Sequence, residues 1–480
     1  MKSVKSPSFI DALIPVLFLV ILLAVSVAIY GSDSSFGPNQ IILILAAGVA
    51  SIIGLKNGLT WKAIEDAMIH GISVSMGAIF ILLAVGSLIG TWLLSGTVPT
   101  LIYFGLQILS PDWFYVAACL LSAIVAMSIG SSWTTAATIG VALMGIANGI
   151  GAEPAIAAGA VISGAYFGDK ISPLSETTNL APAVAGSDLF SHIRHMLWTT
   201  VPSFVIALIL FTILGFTEDR VAANVSVDSV QDIILANYNV SMFNLIPLVL
   251  LVIMALKKLP AFPSIFIGAL IGAVWGFIFQ QELLANIANS TLLIDHISII
   301  WTAMFDGFSI TTGDDVMDKL LSGGGMSSML NTTWLIMTAL MFGAVMEKVG
   351  LLAVFVQGIL KAAKSTGSLI TSTIFTAFGT NLITADQYMS IVMPGRMYKE
   401  EYERRGLDNV NLSRALEDGG TITSALIPWN TCGAYMAGVL LVSPLDYWQF
   451  AFFNLINPVL AIAFAYMGFK VLKNKSEIIR

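Results

Sequence analysis

The chain has 480 residues, 57% of them hydrophobic and only 11% charged, with a formal net charge of −7 and a mean hydropathy of +0.87. Soluble domains carry about 25% charged residues, so this composition excludes a water-coated enzyme of two or three domains. The apolar runs are continuous rather than alternating over ~10-residue segments, which excludes a transmembrane β-barrel and points to an all-α polytopic membrane protein.

Lys2 and Lys5 precede an apolar stretch from Phe9 to Tyr30 that looks at first like a signal peptide. It is too long for an apolar signal core, and Gly31–Gln40 offers no small-residue cleavage site, so it reads as the first transmembrane helix. Further spans are predicted over 41–55, 68–94, 113–129, 132–150, 154–190 with an internal break, and 195–216. The polar segment Thr217–Val240 separates them from a second set over 242–256, 261–280, 331–347, 366–378, 381–397, 413–443 with a break, and 448–470. The chain thus divides into membrane repeat 1 (1–216), an extracytoplasmic linker (217–241) and membrane repeat 2 (242–480). The stretches 97–109 and 351–361 are too short to span and suit helices lying at the interface.

Lys and Arg set the orientation. Lys56 and Lys62, both termini, Lys257–Lys258, Lys348, Lys361, Lys364 and the group Arg396, Lys399, Arg404, Arg405 and Arg414 read as cytoplasmic. The segments 31–40 and 95–112 hold no cation, 217–241 only Arg220, and 281–330 only Lys319. Gly71 and Gly90 match Gly324 and Gly343 at a spacing of 253; Gly168, Ile171 and Asn179 match Gly419, Ile422 and Asn430 at 251; Gly130 matches Gly379 at 249. The matched loops differ in charge character: 56–67 carries the cations Lys56 and Lys62 and 306–323 is acidic, while 95–112 lacks cations and 348–365 has three. Segments that swap sides between halves make an inverted-topology repeat, an arrangement common in transporters.

Two segments in each half are apolar by position and polar by content: Ser128–Thr135 and Gly168–Asn179, then Phe378–Asp386 and Glu417–Ser424 continuing through Pro428–Thr431. Their Gly and Pro residues free backbone groups from the helical ladder, which membrane depth tolerates only where the backbone is buried in protein or lines a cavity. Freed carbonyls, hydroxyls and amides are hard oxygen ligands suited to an alkali cation. The candidate proton- or cation-binding carboxylates are Asp169, Asp386, Glu176 and Asp418, because an intramembrane carboxylate is costly and functional by default. Glu176 also suits a helix cap, and Asp418 also suits pairing with Arg414. Asp386 stands where the Gly379 register puts Ala137 in the first half. Lys170 is the charge partner of a carboxylate or snorkels to the interface. The candidate neutral ligands are Ser131, Ser132, Thr134, Thr135, Ser172, Thr177, Thr178, Asn179, Thr380, Asn381, Thr421, Thr423, Asn430 and Thr431. Na+ at the carboxylate site is the expected cargo, with no resident cofactor. The four histidines are too scattered for a metal site, His192 and His195 flank Arg194 at a predicted inner end, and Cys119 and Cys432 read as packing residues. No basic stripe suits nucleic acid.

The segment SGAYFGDKISPLSETTNLAPAVAG, Ser163–Gly186, resembles the signature GD(K/R)xSPxSDTT of the NhaC family of Na+/H+ antiporters. Asp169, Lys170, Ser172, Pro173, Ser175, Thr177 and Thr178 match it, and Glu176 replaces the usual Asp. The resemblance implies the ion transporter superfamily fold: an inverted repeat with two re-entrant hairpins, two interrupted helices, a scaffold part and a moving transport part, often a homodimer. It places hairpin tips near Gly130 and Gly379. The expected function is secondary active exchange of Na+ for H+ across the cytoplasmic (inner) membrane by alternating access, within membrane lipid. The alternative is Na+/H+-coupled exchange of a small organic anion of the malate/lactate type, since the family includes such exchangers.

Overall fold

A computed structural model describes residues 5–74, 76–108, 110–217, 227–257 and 259–474. Helix α1 (Phe9–Tyr30) starts at a capping box in which the Ser8 hydroxyl accepts the Asp11 N–H and the Asp11 carboxylate accepts the Ser8 N–H. Its apolar residues Ile10, Leu17, Ile21 and Ile29 remain exposed, as a lipid-facing surface requires. Helix α2 (Pro38–Lys56) returns so that Lys56 pairs with Asp11 at 2.9 Å. The span expected over 68–94 is two helices, α3 (Trp61–Val74) and α4 (Met76–Leu94); Lys62, Glu65 and Asp66 make the first turns of α3 too polar to cross. Helix α5 (Thr97–Ile108) buries Val98, Ile102 and Leu106.

Next come α6 (Phe114–Ile129), the short α7 (Ser132–Thr135), a π-helical turn over Ala136–Gly140 and α8 (Val141–Gly149). Gly145 and Gly149 of α8 give Ile102 of α5 room to pack. Helix α9 (Pro154–Ile171) stops at Ser172–Pro173, because proline lacks the N–H that would continue the ladder. Helices α10 (Glu176–Ala185) and α11 (Leu189–Thr217) complete the first half.

Residues 218–226 of the linker, Arg220 among them, lie outside the described residues. The rest of the linker is not all irregular: α12 (Val227–Asn237) buries Val230 and Ile234, and the Gln231 amide donates to the Tyr103 carbonyl at 3.2 Å. Helices α13 (Ile246–Leu256) and α14 (Ala261–Phe279) follow. The segment 281–330, for which no span is predicted, holds α15 (Gln281–Ala288) and α16 (Leu293–Phe305), bent by 95° between them, and α17 (Asp315–Leu320). Then come α18 (Leu330–Lys348), α19 (Leu351–Ala362), α20 (Thr366–Thr384) and α21 (Gln387–Arg404). Helix α22 (Asn409–Leu416) runs into a π-helical turn over Glu417–Thr421. The chain ends in α23 (Thr431–Leu440), α24 (Pro444–Tyr447) and α25 (Phe452–Met467).

Among the described residues, seven helices are long and apolar enough to cross a membrane, or up to ten if each bent pair is one span. The described residues pair β-fashion only in two isolated bridges, so the protein is an all-α multi-pass membrane protein. One order of elements recurs: a helix broken before a second arm, then an interrupted helix. It is met as α6 to α8 with α9 and α10, and again as α20 and α21 with α22 and α23.

Candidate functional site

Four breaks meet at one cavity. Gly164 and Gly168 bring α9 against α6; a Cβ at Gly164 would lie 2.0 Å from the Cys119 carbonyl oxygen, and one at Gly168 would lie 2.3 Å from that of Ala123. The first tip is Gly130, at φ +77°, tight against Leu174 in the break between α9 and α10. Ser131 caps α7 by accepting the Thr134 N–H at 3.2 Å. In the α9–α10 break, the Thr178 hydroxyl donates to the carbonyls of Asp169 and Lys170 at 3.3 and 3.0 Å, and the Ser172 hydroxyl to that of Met127 at 2.9 Å. These bonds satisfy groups that the interrupted helix leaves open.

Asp169, in the last turn of α9, is thereby aimed at the first tip. Its Oδ2 accepts the Ser132 N–H at 3.0 Å and the Ser132 hydroxyl at 2.7 Å. Glu176, in the first turn of α10, accepts a hydrogen bond from the Tyr388 hydroxyl of α21. Asp386 caps α21 by accepting the Met389 N–H at 2.8 Å. Asp169, Glu176 and Asp386 all line one cavity of about 530 Å³.

The second tip is displaced from its expected place. Gly379 lies inside α20, which runs on to Thr384; the turn is made by Ala385 at φ +57°. Asp386 therefore corresponds to Ser131, not to Ala137: each is the cap that opens the second arm. Asn381 and Asn430 fasten this tip to the second interrupted helix. The Asn381 amide donates to the Gly420 carbonyl at 2.5 Å, and the Asn430 amide to the Asn381 side-chain oxygen at 3.1 Å. The Thr431 N–H donates to the Ala385 carbonyl at 2.9 Å.

Of the expected neutral ligands, Ser131, Ser132, Thr134, Thr177 and Thr431 line the cavity. Thr135, Ser172, Thr178, Asn179, Thr380, Asn381, Thr423 and Asn430 lie outside its lining and hydrogen-bond to backbone carbonyls. Thr421 also lies outside, with its hydroxyl buried and unpartnered. Ser175, Gln387 and Tyr388 line the cavity without having been singled out as ligands; the readable signal was their place in the first residues after a break.

Lys170 and Asp418 form a separate buried group. They pair with each other, both with fully buried side chains. Asp418 Oδ1 also accepts from the Asn457 amide at 2.7 Å, both its oxygens lie 3.3 Å from the Thr199 hydroxyl, and Arg414 Nε stands 4.0 Å away. Next to it Glu417 is fully buried, with neither carboxylate oxygen hydrogen-bonded. Among the described residues no group of three or more His, Cys, Asp or Glu is placed to hold a resident metal.

Residues 164–469 match the model of the Na+/H+ antiporter family. The chain is 41% identical to the Na+/H+ antiporter NhaC of Alkalihalophilus pseudofirmus, over 90% of this chain and 91% of that one. It is 37% identical to the malate-2H+/Na+-lactate antiporter of Bacillus subtilis over 98% of both chains. It is 36% identical to the arginine/ornithine antiporter ArcD of Halobacterium salinarum, over 98% of this chain and 95% of that one. The chain belongs to the Na+/H+ antiporter family, in its NhaC branch.

Proposed function

We propose that this member of the Na+/H+ antiporter family exchanges Na+ for H+ across the cytoplasmic (inner) membrane by alternating access, in an elevator-like motion of a transport part against a scaffold part. The observation that carries this reading is the convergence of Asp169, Glu176 and Asp386 on one cavity bounded by interrupted helices. A carboxylate there holds either a proton or Na+, and competition between them gives antiport, provided the empty charged state cannot cross. Asp169 is the leading ligand, joined by Asp386, Glu176 and the hydroxyls of Ser131, Ser132, Thr134, Thr177 and Thr431. Asp418 and Lys170 act from outside the cavity, neutralising each other beside it.

The halves 1–216 and 242–480 are read as the two inverted repeats, with both termini cytoplasmic and a homodimer as the assembly. The cavity reaches Leu259, Pro260 and Ala261, beside the Lys257 loop read as cytoplasmic, which supports an inward-open state. The test is Na+-driven ΔpH in proteoliposomes. Asp169→Asn is expected to abolish the signal; a folded Asp169→Asn protein exchanging normally overturns the assignment.

The second reading, exchange of a small organic anion coupled to Na+ and H+, is supported by the 37% identity to the malate-2H+/Na+-lactate antiporter. Against it stands the lining itself, which has three carboxylates and, among the described residues, no Lys or Arg. Adding malate or lactate to the same assay, with and without Na+, separates the two readings.

A further inference from the structure

We infer that the cavity also binds an organic cation, a primary ammonium carried on a short aliphatic chain, and that this class competes with Na+ as cargo. The inference rests on the reading of the cavity as the transport site and names a further substrate class for it. The lining carries three carboxyl groups, those of Asp169, Glu176 and Asp386. It also carries apolar residues with surface open to the cavity: Ile81 of α4, Ala255 of α13 and Leu259 beyond it. Hydrated Na+ gains nothing from apolar surface, whereas an alkyl chain does, by up to about fourfold in affinity for each methylene it buries. The volume of about 530 Å³ falls within the roughly 300–1,000 Å³ typical of organic ligand sites.

The charge pattern selects the sign of the ligand. Among the described residues no Lys or Arg lines the cavity, and the nearby Lys170 is turned away onto Asp418. An ammonium head takes the place of Na+ at Asp169, where Ser132 already fixes one carboxylate oxygen. Trp133 and Tyr388 also line the space, and aromatic faces attract cations. The aliphatic chain then lies along Ile81, Ala255 and Leu259.

The test uses the purified full-length protein in sodium-free detergent buffer. Thermal unfolding is followed with methyl-, ethyl-, propyl- and n-butylammonium, and with butyrate as the oppositely charged match in chain length. ²²Na+ binding is measured in parallel by a proximity assay. The expected result is stabilisation whose half-effect concentration falls by at least about tenfold from methyl- to n-butylammonium. That slope is expected to flatten in Leu259→Ser, and n-butylammonium is expected to displace ²²Na+. A flat chain-length series, or butyrate stabilising as well as n-butylammonium, overturns the proposal. If Na+ binds and no alkylammonium does, the proposal falls and the Na+ reading stands. If alkylammonium binds and Na+ does not, the Na+ reading falls and the proposal stands.

Discussion

Asp169 and Lys170 are neighbours in the last turn of α9 and serve opposite sides of it: Asp169 bonds to Ser132 at the cavity, and Lys170 is buried against Asp418. Successive helical residues point about 100° apart, so the dipeptide cannot pair with itself. The cavity thus keeps the Asp169 carboxyl group free of a competing ammonium, while the ammonium braces α9 against the second interrupted helix. The cavity carboxylate and the buried ion pair thus belong to consecutive residues of α9.

The Lys170–Asp418 pair gives the first prediction. Removing one partner of a buried pair leaves an uncompensated charge and costs about 3–5 kcal/mol. Asp418→Asn is therefore expected to lower the unfolding midpoint in detergent strongly. A Lys170→Met/Asp418→Leu double variant removes both charges of the pair but leaves the buried Arg414, 4.0 Å from Asp418, without that counter-ion, so it is expected to recover only part of the loss. Equal midpoints for Asp418→Asn and wild type would show that the pair contributes no stability.

Glu417 is expected to behave in the opposite way. Its side chain is fully buried and neither oxygen has a hydrogen-bond partner. An isosteric amide removes an ionisable group that has no hydrogen-bond partner and adds a donor beside the unpartnered Thr421 hydroxyl. Glu417→Gln is expected to unfold no earlier than wild type, and later by up to about 1 kcal/mol if that donor finds its acceptor. A loss as large as that of Asp418→Asn would contradict this account.

Tyr388 and Glu176 tie α21 to α10 at the cavity, where both side chains are exposed. Water replaces a lost bond at such a place, so Tyr388→Phe is expected to cost less than about 1 kcal/mol of stability. Transport should respond more. Freeing the Glu176 carboxylate makes the cavity more attractive to cations, and salt screens that attraction. The Na+ concentration giving half-maximal exchange is expected to fall in Tyr388→Phe at low ionic strength and to converge on wild type at high ionic strength.

The breaks at Gly130 and at Ser172–Pro173 were readable because glycine and proline punctuate a helix by their own backbone chemistry. So was Asp169, a carboxylate inside an apolar run. The partnership of Lys170 with Asp418 was not, because it joins residues 248 apart in sequence through packing that no local pattern encodes. The sorting of polar residues into cavity lining and backbone braces was equally hidden: Thr177 and Thr178 are adjacent and alike, yet only Thr177 reaches the cavity. The helix α12 was hidden because it has only eleven residues, interrupted by Asp228, Gln231 and Asp232, too short and too polar to read as a span. The second tip was misplaced because the turn is made by Ala385, a residue that rarely adopts positive φ.

That misplacement leads to the last prediction, a comparison of two glycines. At Gly130, φ is +77° and an added Cβ would meet the Leu174 Cβ at 2.6 Å. Gly130→Ala therefore strains the backbone and pushes the tip off the α9–α10 break that orients Asp169. A loss of at least about 1–3 kcal/mol is expected, with Na+-driven ΔpH falling in step as the Ser132–Asp169 contact opens. At Gly379 the backbone is helical and nothing lies within 4 Å of an added Cβ. Alanine there only removes unfolded-state freedom and improves helix propensity, so Gly379→Ala is expected to gain about 0.5–1 kcal/mol with exchange intact. If Gly379 were the tip, both substitutions would damage transport alike. Unfolding midpoints and ΔpH rates of the two variants, measured side by side, decide whether the second arm begins at Asp386.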